Sequence, residues 1–128
     1  MQFNPGFRLS IIDMSFLIVT TMMAMLLYMQ AQYFLMVVVL TPSLQFFLFC
    51  NVFRVRRLFE LIWAALYLII FTATFHIELN PIVSTTIMVV IGLIFIGLEM
   101  RQPDYHGIFW QRINPELPQW FEQHDKSV

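Results

Sequence analysis

Four apolar runs, about residues 10–29, 33–53, 58–75 and 81–100, leave this chain little choice of fold. A helix crossing roughly 30 Å of hydrocarbon needs about 20 residues at about 1.5 Å each. All four runs are near that length, the third and fourth a little short. Lipid offers no hydrogen bonds to an open strand edge, and four strands cannot close a barrel, so helix is the conformation that satisfies the backbone. Composition supports the same environment. The residues are 59% hydrophobic and 12% charged, against roughly 25% charged in soluble domains. A soluble protein of this size could not hide so much apolar surface.

The basic residues then set a direction. Arg8 precedes the first run, Arg54, Arg56 and Arg57 separate the second from the third, and Arg101, Arg112 and Lys126 follow the fourth. The other two links, Gln30-Ala31-Gln32 and His76-Ile77-Glu78-Leu79-Asn80, carry no Lys or Arg. Cationic loops stay on the cytoplasmic side during insertion, so both termini are expected there. The expected location is a bacterial inner (plasma) membrane. The first run is read as a retained helix, not a signal peptide, since it is long, carries Asp13 and lacks a small-residue cleavage site. Short links make neighbouring helices antiparallel, which predicts an all-α, four-helix, up-down-up-down bundle over residues 1–100. Residues 101–128 then form a separate cytoplasmic tail. Its aromatics Tyr105, Phe109, Trp110, Trp120 and Phe121 alternate with charges, as suits the headgroup layer. Trp110, Trp120 and Phe121 are the expected interfacial anchors. His106 to Ile113 and Gln119 to Gln123 are expected to form short turns, broken between them at Asn114–Pro118.

Local signals mark helix ends. Ser10-Ile11-Ile12-Asp13 has the capping-box pattern, and Asn80-Pro81 places proline where a helix begins without a missing donor. Pro42 removes a hydrogen bond within the second run and is expected to bend it. Thr41 and Ser43 can satisfy part of the freed carbonyl groups. Gln45 and Asn51 are expected to bond across to neighbouring helices. Cys50 is expected to be a small buried hydrophobe. Small-xxx-small spacing is scarce beyond Thr20 and Ala24. Nine Met and fourteen Phe supply most of the bulk, which favours packing against other proteins or lipid.

Chemistry-bearing constellations are few. Asp13, Arg54, Arg56, Arg57, Glu60, Glu99 and Arg101 would share one depth and are expected to form an interfacial charge network. Within it Glu60 stands four and three residues after Arg56 and Arg57, a helical pairing distance, and Glu99 lies beside Arg101. The competing reading of these charges is a docking surface for a partner or for anionic headgroups. His76 could ligate a haem, a chlorophyll-type pigment or a metal, but one imidazole without a second ligand three or four residues away is a weak signal. His106 and His124, near Asp104 and Asp125, are weaker still. No metal-binding, nucleophile-elbow or phosphate-loop motif is present, and no catalytic residue is expected. A net charge of −1 disfavours a nucleic-acid partner.

The expected function is therefore a non-catalytic accessory or assembly subunit of a larger membrane complex, with membrane lipid and other membrane subunits as partners. An alternative is a small proton-coupled transporter acting as a homodimer. Size and helix count resemble the small multidrug-resistance class, which implies an acidic residue well inside the first helix. Asp13 is the candidate, and it lies shallower than that mechanism requires, where capping accounts for it. A third reading, a pigment- or haem-contacting subunit, rests on His76.

Overall fold

The computed structural model describes residues 4–125, so Lys126, one of the cations counted above, lies outside the described residues. The described residues form helices and no strand, in the order α1 (Ile11–Met29), α2 (Tyr33–Phe47), a π-helical segment (Leu48–Val52), α3 (Arg57–Ile77), α4 (Pro81–Met100), α5 (Trp110–Ile113) and α6 (Leu117–Asp125). Four spans, Ile11–Met29, Tyr33–Val52, Arg57–Ile77 and Pro81–Met100, are long and apolar enough to cross a membrane. The chain has the constitution of an integral membrane protein.

Both capping signals act as expected. The Ser10 side chain accepts from Ile12 N at 3.3 Å, and Asp13 Oδ2 accepts from Ser10 N at 3.3 Å. Asn80 Oδ1 accepts from Ile82 N at 2.9 Å, with Pro81 opening α4. Helix α3 exceeds its expected range at both ends and stops at Glu78, whose φ of 54° is left-handed. In the tail the second turn is longer than expected. Helix α6 starts at Leu117, because Pro118 sits where a helix's first N–H groups have no intrahelical partner.

Helices α2, α3 and α4 share the core. Phe49, Trp63 and Met88 are each 0% exposed. A ladder on α3 organises it: Phe59, Trp63, Tyr67, Phe71 and Phe75 follow one another at intervals of four, so each lies over the one before in a stripe that winds slowly round the helix and leaves Phe75 exposed at its end. Trp63 stacks on Tyr67 with centroids 5.2 Å apart, and Tyr67 on Phe71 at 4.4 Å. Phe46 and Phe49 meet the Trp63 ring edge-on at 5.7 and 5.9 Å. Contacts from α3 to α4 run in reverse order along the two helices. Phe59 stacks on Phe95, the Trp63 indole N–H donates to the Met88 carbonyl at 2.9 Å, and Thr74 and Ser84 share a 2.6 Å hydroxyl bond. Lipid gives helices no hydrophobic reason to associate, so shape-matched rings and interhelical hydrogen bonds must hold them.

Helix α1 is different. Ala24 is its one buried residue, while Ile11, Ile12, Met22, Met25 and Met29 are all exposed. In a membrane these side chains face lipid or another protein.

Pro42 sits inside a continuous α2, and its missing N–H orphans the carbonyl four residues back, that of Val38. Neither Thr41 nor Ser43 fills that vacancy, as the sequence led one to expect. The Tyr67 hydroxyl does, donating to Val38 O at 2.6 Å, while Ser43 Oγ donates to Val39 O at 2.7 Å. The repair comes from the aromatic ladder, which ties α2 to α3 at the proline.

The second span also departs from plain α-helix over Leu48–Val52. A π turn inserts an extra residue and rotates the side chains that follow. Cys50 consequently is exposed, not buried as expected, and its thiol donates to Glu60 Oε1 at 3.2 Å. Asn51 is turned inward and is 3% exposed.

Candidate functional site

The densest polar region joins three separate pieces of chain: the strap before α1, the link from the π segment to α3, and the segment after α4. Gly6 N donates to His106 O at 2.7 Å, Arg8 N to Asn51 O at 3.0 Å, and Ile108 N to Val52 O at 2.8 Å. Backbone groups that no helix can pair are satisfied by one another here, as buried backbone must be.

Side chains reinforce the junction. With its amide nitrogen facing the two oxygens, Asn51 donates to Asp13 Oδ2 at 2.8 Å and to Arg8 O at 2.7 Å. This is the cross-helix amide bonding expected of Asn51. Gln45 does not share it: its Nε2 is buried beside Gly92 with no hydrogen-bond partner among the described residues. Asp13 is thus engaged by the Ser10 N–H as well as by Asn51, which is the capping role the sequence favoured.

The charge network has different pairs from those expected. Arg56 precedes α3 as its cap residue instead of continuing the helix, so it is not held at helical spacing from Glu60. It reaches across to α4, with Nε 3.4 Å from Glu99 Oε1 and Nη2 2.5 Å from Asp104 Oδ1. Glu99 is therefore paired with Arg56 and not with Arg101. Its Oε2 is buried with no partner among the described residues. Arg54, Arg57 and Arg101 make no ion pair with a carboxylate among the described residues; Glu60 receives the Cys50 thiol instead.

Asp104 and Tyr105 were not singled out for this cluster from sequence. The turn after α4 brings them in. Tyr105 is 1% exposed and its hydroxyl donates to Ile108 O at 2.9 Å; Asn114 Nδ2 donates to Pro103 O at 2.5 Å. Burial, with the negative charge of Glu99 added, pushes the Tyr105 phenol up to about 12. A pKa raised on folding means that the folded state holds the proton longer. The stability Tyr105 contributes is therefore complete below its ordinary value near 10 and is lost between about 10 and 12. Ultraviolet titration of the phenolates should show a late-ionising component that shrinks by one tyrosine in Tyr105→Phe. An identical titration curve in that variant would contradict the burial.

Gly107 marks the closest approach. A Cβ there would collide with the Phe53 backbone carbonyl and the Tyr105 hydroxyl. Because backbone has to move, Gly107→Ala should destabilise by about 1–3 kcal/mol, like other overpacked sites. Faster proteolysis between residues 101 and 110 is the accompanying sign. An unchanged cleavage rate would show that the junction tolerates a side chain.

Beside the junction lies a cavity of about 270 Å³ between α1, α2 and the π segment, with Asp13, Cys50 and Asn51 as its polar lining. His76 is exposed at the end of α3, its ring edge-on to Phe75 at 5.8 Å. Among the described residues no group of three or more His, Cys, Asp or Glu is placed to hold a metal. Of the expected interfacial anchors, Trp110, Trp120 and Phe121 are all partly buried, and Trp120 stacks on His124 at 4.1 Å.

No protein-family model, curated protein or solved structure matches this chain.

Proposed function

We propose that this chain is a non-catalytic accessory or assembly subunit of a larger integral membrane complex. The observation that carries this reading is the filled centre of the α2–α3–α4 core, where Trp63, Phe49 and Met88 have no exposed surface. A path for a substrate would need space or polar lining there. The interior is instead closed by stacked rings and by hydrogen bonds that staple the helices together. Such a core makes a rigid scaffold, while the adaptable methionine-rich face of α1 offers surface to neighbours.

In this reading the helices cross up-down-up-down in a bacterial inner membrane, with both termini cytoplasmic and the tail lying at the interface. The one-sided distribution of arginine supports that direction. The hydrogen bonding of the strap, the α2–α3 link and the segment after α4 to one another supports their lying on one side, whichever side that is. The partners are other membrane subunits.

The test is purification from native membranes in mild detergent through a C-terminal tag. Stoichiometric membrane partners are expected, and recovery of the chain alone counts against the proposal. A reporter fused after residue 128 should be active only as a cytoplasmic fusion. Activity on the outer side reverses the orientation.

A further inference from the structure

Among the described residues, the carboxylates in ion-pair range of an arginine, Glu99 and Asp104, both go to Arg56. Arg8 and Arg54 have none, although the fold brings them together. The strap bonds Arg8 N to Asn51 O, and Arg54 Nη1 donates to Asn4 O at 2.6 Å. Arg54 is held in a left-handed conformation, φ 50°, which a non-glycine residue adopts at some cost. That bond to Asn4 uses one of its five N–H donors and fixes the guanidinium, leaving the rest of the fork open. Partial burial, and then the adjacent Arg8 cation, pull the Arg54 pKa below its ordinary value. Two like charges near one another are stabilised when an anion sits between them.

The surroundings say what kind of anion. Phe7 and Leu9 flank Arg8 in the strap and are 54% and 48% exposed. Phe7 rests edge-on against Phe47 at 6.4 Å, near the end of α2, and exposed Ile11 and Ile12 follow where α1 enters the apolar layer. Cations interleaved with apolar side chains at this level match a headgroup above its acyl chains. Guanidinium forks suit phosphate geometry better than a point charge does. The neighbouring acid, Asp13, is already engaged by Ser10 N and Asn51.

We propose that Arg8 and Arg54 clamp the phosphate of an anionic phospholipid at the membrane surface, with Phe7 and Leu9 seated against its acyl chains. The site is independent of the subunit reading, since it requires only that the chain reside in a bilayer.

The test uses the full-length protein in detergent, titrated with phosphatidylglycerol, with phosphatidylcholine and separately with inorganic phosphate. Native mass spectrometry counts the bound lipid. Phosphatidylglycerol should be retained at least about tenfold more tightly than phosphatidylcholine. The Arg8→Gln/Arg54→Gln double variant should lose roughly 30-fold in that affinity. Arg57→Gln/Arg101→Gln removes the same charge and should leave the affinity within about threefold, because headgroup attraction there is diffuse. Equal losses in the two double variants, equal binding of the two lipids, or displacement of lipid by inorganic phosphate at matched ionic strength would each overturn the proposal. Should the first double variant not fold, Arg8→Gln alone decides. Its side chain makes no hydrogen bond or ion pair among the described residues. It should weaken phosphatidylglycerol roughly fivefold, and unchanged binding refutes the clamp.

Discussion

Replacing Trp63 with alanine is expected to lower the stability of the folded bundle by roughly 3 kcal/mol, the largest loss from any single side chain in this protein. The indole meets three elements besides its own helix. It receives the edges of Phe46 and Phe49 from α2 and the π segment, stacks on Tyr67 within α3, and donates to the Met88 carbonyl of α4. In a soluble core a fully buried Trp→Ala change costs about 3–5 kcal/mol, part of it the lost transfer from water. Here the separated helices remain in lipid, so that part is largely absent. What remains is the cavity, the lost ring contacts and one interhelical hydrogen bond, which places the cost at the low end. Trp63→Phe keeps most of the volume and removes the N–H, so it should lose only about 1 kcal/mol. Reversible unfolding in mixed micelles of dodecyl maltoside and dodecyl sulfate, followed by circular dichroism, measures both. If the alanine variant unfolds with the parent, the core is not organised by this ring and the scaffold reading loses its main support.

The importance of Trp63 was available in the sequence yet hard to see there. Phe59, Trp63, Tyr67, Phe71 and Phe75 stand four apart, and that spacing alone stacks each ring over the one before it on a helix. In a chain with fourteen Phe, every face of every span carries bulky apolar residues, and the contrast that normally reveals a core face disappears. Hydrophobicity reports the lipid and says little about the interior.

The four spans were legible because length in hydrocarbon is a property of each segment alone. So were the caps at Ser10–Asp13 and Asn80–Pro81, which are bonds between residues two or three apart. Legibility failed where a local need is met from afar. The carbonyl freed by Pro42 could be located from sequence, but its partner, Tyr67, lies on another helix. The π turn gave no signal of its own and reversed the expected burial of Cys50. Arg56 could be placed near the interface by counting, but not aimed. Whether it joins α3 or precedes it by one residue decides which carboxylates it meets.

That choice makes Arg56 the second position of large expected effect. Arg56→Ala should destabilise the protein by about 2 kcal/mol, less than the 3–5 kcal/mol typical when a fully buried pair is broken. The reduction follows from geometry, since the Arg56 side chain is 47% exposed and that of Glu99 only 3%. Water already screens one end of the pair. Glu99, however, has no other cation within ion-pair distance among the described residues, and its second oxygen has no partner there. Without the guanidinium a charge is left in the interior uncompensated, and Asp104 loses its ion pair, one of the bonds that hold the turn after α4. Two effects should therefore appear together: a lower unfolding midpoint and faster proteolysis around residues 101–108. The informative comparison is Arg56→Ala/Glu99→Gln. If the stranded charge causes most of the loss, removing it should recover about 1 kcal/mol while the turn stays loose, because Asp104 is still unheld. If the double variant is no more stable than Arg56→Ala, Glu99 is not what Arg56 serves, and its role is confined to the Asp104 turn.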